Sequence, residues 1–437
     1  MLAVSGNRTN MTRHLTKFGA RAVVAGILWL GGSGWGSLGS AGAEQGWPGF
    51  RGPHANGHAD ASVALPTTWN ASKNVAWAVP IHDRGWSSPV ALNDRVWLTT
   101  AREDGKQLFV LCVDFRTGNI LHDIKLFDVA QPQEIHKFNS HASPTPALEE
   151  ERVYAHFGSD GTACLNAESG EVIWQRRDLP CNHWRGAGSS PVIFEDELIL
   201  HFDGYDFQYV IALDKMTGET IWKKDRDVDY GTDDGDIMKA FCTPVVIDVK
   251  GQRQLISPTS KASIAYDPRT GEEVWRVRFN GFSATAQPAY GLGLVFINSG
   301  FGKADLLAVR PEGRGDLTDS QVVWQVGKSI GSKPSHLLVD DLIYVVHDQG
   351  VLTCLEAQSG ETVWMERLGG NFSASPIYAG GLLYFCSEEG ITTVVRPGRV
   401  YQQVAVNELG DGFMSSPAVY GNSLLLRSRT HLYRISE

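Results

Sequence analysis

Short apolar runs broken by one or two polar residues recur from about residue 75 to the C-terminus, and few are long enough for a helical period. The segment from Pro191 to Asp225 shows the pattern most clearly. "PVIFEDELILHF" carries two runs on either side of Glu195-Asp196, "QYVIALD" a third, and "ETIWKKD" a fourth after the turn residues "MTG". β-branched and aromatic residues fill the runs while Gly, Asp and Asn fill the breaks. This predicts four short antiparallel strands joined by tight turns.

The same succession returns along the chain. A proline after small residues opens an apolar strand at Pro89, Pro146, Pro191, Pro244, Pro288, Pro334, Pro376 and Pro417, at intervals of 41 to 57 residues. A period in the forties with four strands per unit is the signature of a propeller. The expected fold is therefore all-β, an eight-bladed β-propeller of four-stranded antiparallel blades. Each unit has a second recurrent element in "ESGEVIW", "MTGETIW", "RTGEEVW" and "QSGETVW", ending at Trp174, Trp222, Trp275 and Trp364. Thr/Ser-Gly supplies the turn between third and fourth strands, and the tryptophan offers a large apolar plate to the neighbouring blade. Trp77 and Trp324 complete this interblade set. The eighth unit reaches only a third strand, "THLYRIS", before Glu437. "NVAWAVPI", Asn74–Ile81, supplies the missing one, so an N-terminal strand completes the last blade and removes the open edge. Three units depart from the pattern. His122 replaces the tryptophan in blade one, "PEGRGDLTDSQ" precedes Trp324 in blade five, and "VVRPGRVYQQV" loses the motif in blade seven.

Composition changes the picture at the ends and in charge. A net charge of −10 and a pI near 5.7 exclude a nucleic-acid partner, which wants a basic face. Ahead of the repeats, Arg13, Lys17 and Arg21 precede an apolar run centred on Val23–Leu30, and Ala41-Gly42-Ala43 has the small-residue pattern of a cleavage site. Residues 1–43 thus read as a signal peptide, with Met11 an alternative start, 44–68 as an N-terminal arm and 69–437 as the propeller. The expected location is periplasmic or secreted, with no stable membrane anchor after cleavage. Cys112, Cys164 and Cys354 take the place that Ala212, Ala265 and Ala308 hold in other units, as small core residues. Cys181 and Cys242 lie near loops before innermost strands, and their pairing stays open.

"ALDKMTGETIW" and "AYDPRTGEEVW" resemble the A-x-D-x-x-T-G-x-x-x-W repeat of the pyrroloquinoline quinone-type β-propellers. That superfamily includes quinoprotein dehydrogenases and the propeller lipoprotein of the bacterial outer-membrane assembly machine. The resemblance covers Trp69 to Glu437. More narrowly, "WPGFRGPHANG", "LPTTW", "NVAWAVPI" and "RGWSSPV" are similar to the exported propellers of planctomycete-type bacteria. A dehydrogenase resemblance implies a bound quinone (PQQ), calcium beside it, and often a disulfide between adjacent cysteines. Here the nearest cysteines, Cys164 and Cys181, are 17 residues apart.

Propeller sites form where loops entering the innermost strands converge, together with those between second and third strands. On that face "PCNHWRGAG" offers His183, Trp184 and Arg185, and "DRDVDYGTDDGDIMKAF" offers Asp236 and Lys239 among other acids. Lys261 lies between a second and a third strand. Trp184 is placed to stack and Arg185 to bind an anionic or carbonyl oxygen. The acidic loop lacks the spacing of a calcium loop, and His136 with His141 lacks a third ligand at metal spacing. No catalytic motif of hydrolases, zinc proteases or phosphate loops occurs. The reading is a non-catalytic, monomeric binding module or scaffold without catalytic, metal or cofactor residues, engaging a protein, peptide or glycan. The alternative is a PQQ-dependent dehydrogenase with calcium. N-terminal sequencing of protein from the native host is expected to begin at Glu44; intact protein that keeps Val23–Leu30 would mean a membrane anchor.

Overall fold

The computed structural model describes residues 46–437, so the expected leader and cleavage site lie outside the described residues. Eight antiparallel sheets follow one another in chain order. Blade three shows the unit: Val192–Phe194, Glu197–Asp203, Gln208–Asp214 and Thr220–Asp225 pair in succession, the first being innermost. Blade eight is built from Ala418–Tyr420, Ser423–Arg427 and His431–Ile435, with Val75–Pro80 on its outer edge, Ala78 opposite Tyr433. The N-terminal strand therefore closes the ring.

Two features differ from the sequence expectation. In blade six the innermost strand is Leu337–Val339, so His336, and not Pro334, occupies the place that Pro89 takes before Val90–Leu92. Blade four carries a fifth strand. Gly315–Asp316, from the blade-five insertion, runs parallel to the outer strand with Gly315 opposite Trp275. Leu317 then donates its N–H to the Arg276 carbonyl and buries its side chain.

The recurrent turn and the recurrent tryptophan are one device. In blade three the Asp214 carboxylate accepts the N–H groups of Met216 and Thr217, and Gly218 donates to the Asp214 carbonyl. Gly218 has φ +75, a conformation that a side chain would strain. The Trp174 ring of blade two lies on it, 2.7 Å from where a Cβ would sit, and the indole N–H donates to Lys215 of the same turn at 3.0 Å. Trp77, Trp222, Trp324 and Trp364 likewise donate to the following blade, at Phe115, Pro268, Ala357 and Gly398. His122 makes the corresponding ring-nitrogen contact to the Glu168 carbonyl, 2.9 Å. Trp275 is the exception: its neighbour lacks the turn, and its indole donates to Gln254 of its own blade. Opposite these rings on the third strand stands a small residue, such as Cys164 facing Trp174 and Ala212 facing Trp222, except at Trp77, which faces Arg434. Cys164 and Cys354 are thus spacers for indoles, and Cys112 for the His122 ring. All six are free and buried, Cys181 and Cys242 included.

Around the axis, hydroxyls stitch the blades together. The N–H of Ser88 donates to Thr145 Oγ1, that of Thr145 to Ser190 Oγ, and that of Ser190 to Thr243 Oγ1, each at 2.9 Å. On the other side Gln287, Ser335 and Ser375 donate to Ser335, Ser375 and Ser416 in turn, and Ser416 to Ser88 at 3.1 Å. The remaining junction is spanned by the Gln287 carboxamide, which donates to the Pro244 carbonyl at 3.1 Å.

Beneath this belt lies the N-terminal arm. Trp47 exchanges two backbone hydrogen bonds with Ala91 of blade one, Pro48 accepts from Leu148 of blade two, and Gly57 and Ala59 pair with Tyr378 of blade seven. Arg51 is buried without a carboxylate and donates to the carbonyls of Asn56, His336 and Pro376. Burial lowers its pKa to about 9, so it remains charged at neutral pH. Deleting Asn74–Ile81 is expected to expose the blade-eight edge and remove Trp77 from its seat, costing about 3 kcal/mol or more or causing aggregation. Denaturant unfolding of the truncated protein checks this, and a curve matching the parent's would sink the closure.

Candidate functional site

A cavity of about 810 Å³ opens on the face where the loops enter the innermost strands. The hydroxyl belt rings its wall, and Phe50 of the arm also faces it. The rim is aromatic. Phe138 and Phe301 are large, exposed apolar residues, and Phe282 is held to Phe301 by reciprocal backbone hydrogen bonds. Trp86 lies under two guanidinium groups, those of Arg84 and Arg429, 5.0 and 5.7 Å from its ring centre.

The charged lining is arranged in pairs. Arg185 donates two hydrogen bonds to the Asp236 carboxylate, at 3.0 and 2.8 Å. Lys239 reaches the same carboxylate at 2.9 Å and donates to Ser283 Oγ. These contacts hold Asp236 well below the usual carboxylate range, the Arg185 hydrogen bonds first among them. The short helix Gly235–Met238, capped by the Asp234 side chain, fixes the approach of Asp236 and Lys239. Across the cavity Glu388 accepts from Lys333 at 2.9 Å and from Ser373 at 2.6 Å.

Of the six residues picked out from sequence, Arg185, Asp236 and Lys239 line the cavity together. The other three lie outside its lining. His183 is buried; its Nε2 accepts the Ser159 N–H at 3.0 Å and its ring packs near Phe202. Trp184, with φ +62, packs against Gly235 and Tyr205 and so braces the helix from behind. Lys261 donates to the Asn280 carbonyl at 3.3 Å. The rim phenylalanines, Lys333 and Glu388 were not singled out from sequence. A common placement was legible, since each belongs to a connection reaching this face, but the residue types carried no motif.

The geometry bears on two chemical possibilities. Ser257 Oγ lies 3.0 Å from His201 Nε2, with Asp203 close by, the outline of a hydrolytic triad. All three are buried, however, and Asp203 is engaged bidentately by the buried Arg226, while His201 Nδ1 contacts the Cys242 carbonyl. The cluster is a closed salt-bridged core between blades three and four, with no approach for a substrate. For a quinone, the donor set is the test. Pyrroloquinoline quinone is a planar tricarboxylate and calls for uncommitted cations. The cavity's Arg185, Lys239 and Lys333 are each already tied to a carboxylate, and Asp348 adds a further negative charge. Among the described residues no group of three His, Cys, Asp or Glu could hold a metal ion, and no two cysteines adjoin. These residues do not fit the quinone–calcium pair.

A family model described as outer membrane protein assembly factor BamB matches residues 63–180, 206–312 and 260–397, which together make up more than half of the chain. The outer membrane protein assembly factor BamB of Yersinia pestis is 24% identical over 280 residues, covering 61% of this chain and 64% of that protein. The match thus spans less than two thirds of that relative's length. Among solved structures, BamB from Moraxella catarrhalis superposes with a TM-score of 0.57 at 14% identity, covering 82% of this chain and 96% of that one. The quinohemoprotein alcohol dehydrogenase from Comamonas testosteroni gives a TM-score of 0.64 at 12% identity, over 89% and 80%. At such identities the likeness is one of fold.

The burial of His183 has a measurable consequence. Burial pushes the pKa of His183 down to about 4, those of His156 and His336 to about 3, and that of His201 well below the ordinary value. The unfolded chain, with histidines near 6.5, takes up protons first as pH falls. The stability from keeping these rings neutral is complete above about pH 6.5 and is lost as pH drops toward the folded values. Each histidine contributes a slope of up to about 1.4 kcal/mol per pH unit in that window. Unfolding free energies measured from pH 7 to 5 are expected to fall steeply, with a shallower slope in His336→Leu. A flat profile would contradict the buried neutral rings.

Proposed function

The chain belongs to the family of outer membrane protein assembly factor BamB, and from that premise we propose that it is an exported, non-catalytic binding propeller. Its working surface is the loop face, and the cavity there takes up part of a protein, peptide or glycan partner. The observation that carries this reading is the cavity itself: aromatic at the rim, with its charges paired internally and the arm lying beneath it. Paired charges and exposed rings suit recognition. The buried Ser257–His201 contact and the committed cations speak against a reaction at either place. The name of the relatives points to a protein partner outside the cytoplasm, and the leader expected from the sequence suits a periplasmic or secreted location.

A photo-crosslinking amino acid placed at Phe138 samples the cavity mouth, and one at Val406 samples an outer blade edge; these two side chains are 52% and 53% exposed. In the native host's envelope, crosslinked products are expected at position 138 and not at 406. The reverse distribution would move the functional surface to the blade edges.

A further inference from the structure

We propose that the occupant of this cavity is a neutral oligosaccharide segment, a reading that rests on the loop face being the binding surface. Three observations lead to it.

The first is the rim. Phe282 and Phe301 are locked side by side, with N–H to carbonyl distances of 3.3 and 2.6 Å in the two directions. Phe301 is 40% exposed, and Phe138 on another loop of the same mouth is 52% exposed. Exposed rings carried on these loops offer flat apolar platforms, and the C–H face of a pyranose is a flat apolar surface of matching size.

The second is charge. The lining has three cations, Arg185, Lys239 and Lys333, and three carboxylates, Asp236, Asp348 and Glu388. Arg185 and Lys239 share Asp236, while Lys333 pairs with Glu388 and donates its backbone N–H to Asp348, so the six charges are held in fixed positions and sum to zero across the lining. A charged ligand, whether uronide or phosphate, would compete with Asp236 and Glu388 for cations they already hold. Vicinal hydroxyls instead donate to carboxylate oxygens and accept from ammonium or guanidinium groups while the pairs stay intact.

The third is backbone. A peptide recognised through its main chain needs an unpaired strand edge. At this mouth the N–H groups of Ser88, Thr145, Ser190, Ser335, Ser375 and Ser416 already donate to the belt hydroxyls. What remains on offer is side-chain hydroxyls, carboxamides and ion pairs, the functional groups that read a polyol.

The test is calorimetric titration of the mature protein with cellohexaose, maltohexaose, xylohexaose and N-acetylchitohexaose. Hexagalacturonate serves as the anionic comparison and an extended outer-membrane-type β-strand peptide as the polypeptide one. At least one neutral hexasaccharide is expected to bind more tightly than about 1 mM, a modest affinity. Phe138→Ala and Phe301→Ala should each weaken that binding tenfold or more at unchanged melting temperature, because both rings are exposed. Absence of binding by every neutral sugar, or binding that both variants leave untouched, overturns the proposal. So does tighter binding of hexagalacturonate. If the variants abolish only peptide binding, the saccharide assignment fails while the loop face remains the binding surface. If they alter no probe, both readings fail.

Discussion

The belt of hydroxyl-to-amide hydrogen bonds around the axis is the constraint on which the rest of the molecule depends. In each of seven junctions an inner-strand N–H is satisfied by the Ser or Thr of the next blade, so no inner strand is complete without its neighbour. A buried donor left unpaired costs about 1–3 kcal/mol, so the belt penalises any blade that slips out of register. The proline that follows most belt residues holds the preceding backbone extended, which aims each hydroxyl round the ring. Where blade four meets blade five, a glutamine stands in the place of a serine, and its longer side chain bridges to the Pro244 carbonyl. The substitution changes the chemistry of the link but keeps the link.

The outer rim repeats the logic with indoles. Each Thr/Ser-Gly turn needs glycine twice, for its positive φ and because the preceding blade's tryptophan, or Ile124 and His122 at Gly170, rests on it. Inner hydroxyls and outer indoles therefore both point from blade to blade, which makes stability a matter of neighbour contacts, as in other repeat proteins. Ring closure through Val75–Pro80 turns that chain of contacts into a circle with no terminal unit. The solution at His122 shows how tolerant the arrangement is. An imidazole reaches the same turn carbonyl region of the following blade and stacks on Trp97 at 5.7 Å.

How legible this was in the sequence follows from what each residue is asked to do. Strand pattern, turn glycines and the strand-swapped closure are dictated by period and by local backbone chemistry, and Trp77 at its spacing from Pro89 was enough to find the closing strand. Pro334 misled because the belt, not the proline, sets the register, and Ser335 is the residue that fills the belt position. The insertion "PEGRGDLTDSQ" gave no sign that it would lend Gly315–Asp316 to the previous blade, since its partners Trp275 and Arg276 lie 40 residues earlier in sequence and only the fold brings them alongside. At the cavity, Arg185 and Asp236 were found as loop residues on one face. Their bidentate pairing, and the withdrawal of His183 and Trp184 behind it, depend on how two irregular loops pack, and irregular loops have no period to read.

That division also explains why the loop face is where recognition is to be sought. The belt satisfies the inner N–H groups of the cavity wall, and the arm, anchored by Arg51 to the His336 and Pro376 carbonyls, lies beneath it. Blade four's outer edge is already covered by the chain's own Gly315–Asp316. None of these contacts uses the rim phenylalanines or the outward atoms of the Arg185–Asp236 and Lys333–Glu388 pairs, so the loops that carry them are free to vary in sequence without disturbing the ring. A scaffold whose blades are bound to each other at both inner and outer radii confines its adaptable chemistry to one mouth. It follows that substitutions at that mouth should separate binding from folding, whereas substitutions in the belt should not.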